Sequence, residues 1–230
     1  MTAPVRGALI DLDGTLLDTA PDIAAAANRM LARLNLPPLG VEEIRRYVGQ
    51  GSARLVRRCL EAAGAHEGVF EPSLEAFVNA YDEESGRRTR AYPGVQQGLE
   101  QLAASGIGLA CVTNKLQRFT VPLLRRTGLD RFFGALVCGD TVSRLKPDPL
   151  PYVHACRALA IEPAQAVVIG DSANDAVAGR AAGCRVLCVP YGYREGRPLA
   201  SIACDAVVED LPSAAAYINA ENERCREARA

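Results

Sequence analysis

Lysine is almost missing from this chain: of 26 basic residues only Lys115 and Lys146 are lysines, and residues 1 to 114 contain none. A side-chain amine is therefore available at just two places. Histidine is equally scarce. His66 and His154 lie far apart, and no second cysteine pair accompanies Cys184 and Cys188, which argues against a zinc site. Net charge is lacking too: at -1, the molecule has no electrostatic reason to seek nucleic acid or an anionic membrane. No apolar run approaches the roughly 20 residues needed to cross a bilayer. The segment Met1 to Arg6 leads into a short apolar stretch without the longer run and small-residue cleavage site of an export signal. A cytoplasmic location is expected, with the eight cysteines reduced. Cys111, Cys138 and Cys188 sit in apolar runs and read as packing residues.

What is present suits one sizeable core, or a core with a smaller companion, since 49% of the residues are hydrophobic. Val5 to Ile10 reads as a buried strand closed by the polar turn Asp11-Leu12-Asp13-Gly14-Thr15. From Ala20 to Arg88 only helical patterns appear. Val56, Cys59, Leu60 and Ala63 recur at helical spacing, as do Leu74, Phe77, Val78 and Tyr81, with turn signals at Pro37 to Gly40 and Gly64 to Gly68. After Tyr92-Pro93-Gly94 the pattern alternates. Strands are expected at Ile107 to Val112, Ala135 to Cys138, Ala166 to Ile169, Val186 to Val189 and Ala206 to Val208. Helices separate most of them, and a last helix begins near Leu211. The polar tail Glu221 to Ala230 is expected to fray.

Such alternation implies a parallel sheet covered on both faces. The expected fold is α/β: a Rossmann-like parallel sheet core with a small all-helical cap inserted after the first strand. The core takes residues 1–17 and 91–230, and the cap takes 18–90. A strand-to-helix connection normally needs 2–6 residues, whereas about 70 intervene here.

Four polar clusters follow expected strands: Asp11 and Asp13; Thr113, Asn114 and Lys115; Lys146; and Asp171 with Asp175. Ligands of an open parallel sheet bind outside the carboxyl ends of its strands, so these dispersed residues are expected at one place. Each has a plainer reading. Asp13-Gly14 is a common turn pair, Thr113 and Asn114 can cap a helix, and Asp175 can be a first-turn acid favoured by the helix dipole. Asp18 reads as a turn or helix-start residue, and Lys115 as a charge on the rim.

Together the clusters resemble the haloacid dehalogenase superfamily, whose four motifs appear in order as Asp11-Leu12-Asp13-Gly14-Thr15, Thr113, Lys146-Pro147 and Gly170-Asp171-Ser172-Ala173-Asn174-Asp175. The resemblance covers essentially the whole chain, and the insert matches the family's cap position. It implies phosphoryl transfer with Asp11 as nucleophile and Asp13 as acid and base. Asp11, Asp171 and the backbone carbonyl of Asp13 correspond to the family's ligands for Mg²⁺, a cation suited to few protein oxygens plus water and phosphate. Gly14, Thr113, Asn114 and Lys146 correspond to the groups around the transferring phosphoryl, and Asp175 to a residue holding Lys146 or a metal-bound water.

The charges explain the need for such a set. A carboxylate approaching a phosphate dianion meets about 8 kcal/mol of repulsion at ~4 Å, with an effective dielectric of ~20. A cation and an amine must stand at the same spot. Asp13 argues against the family's dehalogenases, which lack that acid, and the lysine-free cap argues against its phosphonoacetaldehyde hydrolases, which form a Schiff base there. A sugar phosphomutase stays open, and a non-catalytic binding protein is the alternative of another class.

Tyr47-Val48-Gly49-Gln50-Gly51-Ser52, Tyr191-Gly192-Tyr193, Gly183-Cys184 and Asp210-Leu211-Pro212 are similar to segments of bacterial phosphoglycolate phosphatases. The partner this implies is a small phosphorylated metabolite, phosphoglycolate before sugar phosphates, pyrophosphate or nucleotides. Ser52 is expected to cap the following helix, whose free N–H groups suit a substrate carboxylate, and Arg54 or Arg45 could pair with the same group.

Overall fold

A computed structural model describes residues 3–66 and 68–228. The chain opens with β1 (Gly7–Ile10) and a two-residue strand β2 (Leu17–Asp18), then enters four helices: α1 (Ala20–Arg33), α2 (Val41–Arg45), α3 (Gly51–Ala62) and α4 (Phe70–Glu84). It returns through β3 (Arg90–Ala91) and continues as α5 (Val95–Ala104), β4 (Gly108–Val112), α6 (Gln117–Thr127), β5 (Ala135–Val137) and α7 (Leu150–Ala158). The rest is β6 (Ala166–Gly170), α8 (Ala173–Ala182), β7 (Arg185–Cys188), β8 (Ala206–Val207) and α9 (Leu211–Glu227). Of the expected turn at 64–68, residue 67 lies outside the described residues.

The expected α/β architecture is realised. Six strands form one parallel sheet in the order β5-β4-β1-β6-β7-β8, so the first strand in sequence sits between β4 and β6. Alternation along the strands builds two separate packing layers. Ala8, Ile10, Leu109, Cys111, Val167 and Ile169 face one side, where they meet α5, α6 and α9. Leu9, Ala110, Val112, Val168 and Val186 face the other, against α7 and α8. Burying each of the valine, leucine and isoleucine side chains among them stabilises the fold by about 1.5–3 kcal/mol. None of the described cysteines is in a disulfide, and six of the eight are buried, in keeping with a packing role.

Register decides where the chemistry emerges. Ile10 stands level with Cys111 on one side and Ile169 on the other. The next residues of the three central strands therefore leave the sheet at the same edge, carrying Asp11, Thr113 and Asp171. Two helix stops sharpen the layout: α6 and α8 end at Gly128 and Gly183, both in the left-handed conformation that glycine adopts without strain.

The insert has a hydrophobic cluster of its own, drawn from α1 to α4 and joined by Phe119 and Tyr193. The segment is helical between its ends, as its periodicity implies. At its roots, however, β2 and β3 pair antiparallel, Leu17 with Ala91 and Asp18 with Arg90, in a ribbon too short to leave a sequence signal. The departing and returning chains are thus tied side by side.

Asp22 holds the returning chain. Its carboxylate is fully buried and accepts hydrogen bonds from Gly86 N (2.9 Å), Arg88 N (2.8 Å), Thr89 N (3.0 Å) and Thr89 Oγ1 (2.8 Å). Asp22→Asn turns an acceptor-only group into one that presents N–H to other N–H groups. The expected loss of stability is about 1–3 kcal/mol, measured as a lower urea midpoint with unchanged m; an unaltered midpoint would show that this anchor carries no load.

The tail departs from expectation. Instead of fraying at Glu221, α9 continues to Glu227, because Asn222 donates to Val5 O (3.0 Å) and accepts from Val5 N (2.7 Å), next to the Arg185–Glu221 ion pair. Residues 229 and 230 lie outside the described residues. Among the described residues, no helix is long and apolar enough to cross a membrane.

Candidate active site

Asp11 follows β1 directly, and its N–H extends the pairing with Ile169 O at 3.0 Å. The chain then turns back on itself, with Leu16 N and Leu17 N both donating to Leu12 O. Gly14 occupies the crowded point of this turn at φ +91°, where a side chain would collide with the Asp171 carboxylate. Thr113 continues β4 by donating to Val137 O at 2.8 Å. Asp171 follows β6, and Ser172 and Asp175 form a reciprocal capping box at the start of α8.

Lys146 arrives from the loop after β5 and is held by Asn114. The Asn114 side chain accepts from Lys146 N (2.9 Å) and donates to Lys146 O (2.9 Å) and to Gly49 O in the helical insert (2.8 Å). Neither Thr113 nor Asn114 caps α6, whose N-cap is Leu116. The Lys146 ammonium spends its three donors on Asp11 Oδ1 (2.7 Å), Val112 O (2.8 Å) and Asp175 Oδ1 (2.7 Å). Asp175 also accepts from Tyr152 OH (2.9 Å), Ser172 N (3.2 Å) and Ser172 Oγ (2.7 Å). It serves as helix cap and lysine partner at once.

Asp11, Asp171 and Asp175 can each offer an oxygen, and these atoms lie within 4.8 Å of one another. Against these three buried carboxylates stands the single Lys146 ammonium, which leaves two negative charges uncompensated. Burial, with the charges of Asp175 and Asp171, pushes Asp11 well above the usual carboxylate range despite Lys146. Burial and the charge of Asp175 push Asp171 to about 7. Burial disfavours the charge on Asp175 as well, yet Lys146 outweighs it and holds that carboxyl low. Lys146 is raised above its ordinary range, because Asp11 and Asp175 more than offset its burial. A hard divalent cation fits this excess of anionic oxygen. Asp175, with both oxygens already hydrogen-bonded, suits orientation better than ligation.

The expected site residues thus meet at one edge of the sheet. Asp11, Asp13, Thr113, Asn114, Lys146 and Asp171 all line a cavity of about 180 Å³ that also borders the insert. Gly14 packs behind Asp171, and Asp175 lies beneath Lys146.

Several features were not anticipated. Lys115 is no rim charge: its side chain is only 6% exposed, and its ammonium bonds both oxygens of Asp13 at 3.0 and 2.9 Å. Burial works against that charge, but Asp13 and Tyr81 prevail and raise the ammonium above its ordinary range. The available signal was its standing as one of only two lysines. Asp18, in β2, accepts from Arg45 (3.2 Å) and from the Tyr193 hydroxyl (2.9 Å). Tyr193 OH also receives Thr19 N (2.7 Å) and Ala20 N (2.9 Å), while Tyr193 N donates to Asp171 Oδ2 at 2.5 Å. One tyrosine therefore joins a site carboxylate to the root of the insert. A second junction links Gln50 to Glu195 (3.1 Å), which also receives Asn174 (2.5 Å).

The expectations for the insert's polar groups need correction. Ser52 borders the cavity but lies in the first turn of α3, whose N-cap is Gln50 with no side-chain cap bond. Arg54 is exposed and away from the cavity, and Arg45 is engaged with Asp18 and Glu42.

Comparison with known proteins bears on this arrangement. The model of the haloacid dehalogenase-like hydrolase family matches residues 8–189. A phosphoglycolate phosphatase of Thiobacillus denitrificans is 45% identical over 218 residues, which is 94% of this chain and 96% of that protein. One of Nitrosospira multiformis is 46% identical over 220 residues, with coverage of 94% and 96%. The crystal structure of a predicted phosphoglycolate phosphatase from Haemophilus somnus superposes with a TM-score of 0.86 at 32% identity, covering 93% of this chain and 97% of that one.

Proposed function

The chain belongs to the haloacid dehalogenase-like hydrolases, and on that premise we propose that it is a Mg²⁺-dependent phosphatase acting on a small phosphate monoester, 2-phosphoglycolate foremost. The observation that carries this reading is the Lys146 ammonium wedged between Asp11 and Asp175, 2.7 Å from each, with Asp171 in the same carboxylate cluster. The names borne by the relatives at 45% and 46% identity support the substrate. So does the size of the cavity: about 180 Å³ falls below the roughly 300–1,000 Å³ of pockets that take drug-sized ligands.

Asp11, Asp171 and the backbone carbonyl of Asp13 would hold Mg²⁺, whose charge offsets the repulsion between the Asp11 carboxylate and the phosphoryl oxygens. The Asp11 carboxylate attacks phosphorus. As that bond forms, the bond from phosphorus to the leaving oxygen breaks, and Asp13 delivers a proton to the departing alkoxide. Asp13 then takes a proton from a water whose oxygen attacks phosphorus. The acyl phosphate bond breaks, giving inorganic phosphate and the Asp11 carboxylate. Lys146 fixes the orientation of Asp11, the Thr113 hydroxyl and Asn114 N–H donate to the phosphoryl oxygens, and Gly14 leaves room for the Asp171 carboxylate. Residues 18–90 act as a cap that excludes bulk water, clasped to the rest of the chain where Asn114 meets Gly49 and Gln50 meets Glu195.

The test is phosphate release from phosphoglycolate, pyrophosphate, a hexose phosphate and a nucleotide, each with Mg²⁺ and with chelator. Phosphoglycolate is expected to lead in kcat/KM by at least about tenfold, with chelator abolishing turnover and Mg²⁺ restoring it. A lead for the hexose phosphate or the nucleotide would overturn the substrate, and release from none of the four would overturn the phosphatase.

A further inference from the structure

The phosphoryl end of the cavity is crowded with charge, whereas the cap side is walled by Ile23, Val48, Leu55 and Phe77. Gln50 and Ser52 border the cavity from the insert, and two further polar groups stand together next to Asp13. One is the Lys115 ammonium, bonded to Asp13 and seated 4.9 Å from the centroid of the Tyr81 ring. The other is the Tyr81 hydroxyl, which is buried near Lys115 and Ser85 without a well-aligned hydrogen bond, in a residue that borders the cavity. A buried hydroxyl left poorly paired costs stability, and one placed beside a buried ammonium is ready to donate to an anion.

We infer that Lys115 and Tyr81 form the specificity site for a second anionic group, a carboxylate on the leaving group. This rests on the phosphatase reading above and deepens it. The argument is one of position. Asp13 stands where the leaving oxygen is protonated, and Lys115 bonds both oxygens of Asp13. In a glycolate leaving group the carboxylate carbon is two bonds from that oxygen, so an ammonium touching Asp13 is within its reach. The other cations at the cavity are placed differently. Lys146 has its three donors on Asp11, Val112 and Asp175. Arg194 is held through its backbone, whose N–H donates to Asp171 Oδ2 at 3.4 Å, on the Asp171 side of the cavity and not at Asp13. The apolar wall around Lys115 keeps water away and strengthens its pairing with an anion. The substrate carboxylate would share Lys115 with Asp13 and accept a hydrogen bond from the Tyr81 hydroxyl.

The experiment compares 2-phosphoglycolate with ethyl phosphate, which keeps the two-carbon chain and lacks the carboxylate, in wild type, Lys115→Met, Lys115→Arg and Tyr81→Phe, each checked for folding by circular dichroism. Lys115→Met is expected to raise KM for phosphoglycolate by about 10- to 100-fold, the loss of one charge-assisted hydrogen bond, while KM for ethyl phosphate stays within about threefold. Any fall in kcat through Asp13 should be shared by both substrates and leave this split intact. Lys115→Arg should recover part of the preference, and Tyr81→Phe should cost phosphoglycolate alone about 3- to 10-fold in KM. Equal changes for both substrates in an otherwise active enzyme would overturn the specificity site and leave the phosphatase standing. A wild type that releases phosphate from neither substrate would remove the phosphatase and this site together.

Discussion

Asp11→Asn is expected to lower kcat by roughly 10⁴-fold or more on every phosphate ester, without unfolding the protein. The amide is a poor nucleophile, and no other carboxylate can take its place. Asp175 is saturated by Lys146, Tyr152 and Ser172, and Asp171 is clasped by Tyr193 N. The fold should tolerate the change because Asp11 carries its charge at a cost: burial and two neighbouring carboxylates raise its pKa well above the ordinary carboxylate range. A group whose folded pKa is raised in this way destabilises the folded state as pH climbs through the ordinary carboxylate range, so neutralising it removes a penalty at pH 7. Lys146 loses one partner in the variant but keeps Asp175 and Val112 O. Melting in chelator at pH 7 is therefore expected at or above the wild-type temperature. A variant that melts normally and turns over at near-normal rate would remove Asp11 from the mechanism.

Asp13→Asn separates substrates by leaving group. Alkyl phosphates release a strongly basic alkoxide and need a proton from the enzyme, and losing that donor is worth about 10²- to 10⁴-fold. Aryl phosphates release a phenoxide that leaves largely unaided in the first displacement. The expected result is a severe loss on phosphoglycolate and a much smaller one on an aryl phosphate in the rate of enzyme phosphorylation. Comparable losses on both would mean that Asp13 acts chiefly by holding Lys115 and Thr19, its partners at 2.9 and 2.5 Å.

The sheet was legible because β1, β4 and β6 are short, almost wholly apolar runs closed by polar turns, and strands alternate with helices after residue 94. The gathering of Asp11, Thr113 and Asp171 followed from it, since residues after parallel strands in register share an edge. What escaped depended on contacts far apart in the chain. Lys115 as a string neighbour of Thr113 and Asn114 looks like a solvated charge, and only the approach of Asp13 and Tyr81 encloses it. Asn222 looks like tail until it meets Val5 across 217 positions. Gln50, Asn174 and Glu195 are ordinary polar residues singly, and their junction exists only once the insert lies against the loop after β7. Ser52 misled for a local reason: helix α3 begins at Gly51, with Gln50 as its N-cap, so the serine falls inside the first turn.

The account depends most on a phosphoryl group passing through Asp11, and rapid acid quench during turnover with radiolabelled substrate tests that directly. The label is expected on the peptide that contains Asp11, to be released by hydroxylamine as an acyl phosphate is, and to be missing from Asp11→Asn. Full turnover with no labelled protein under conditions that trap acyl phosphates, or label on a different residue, would contradict it.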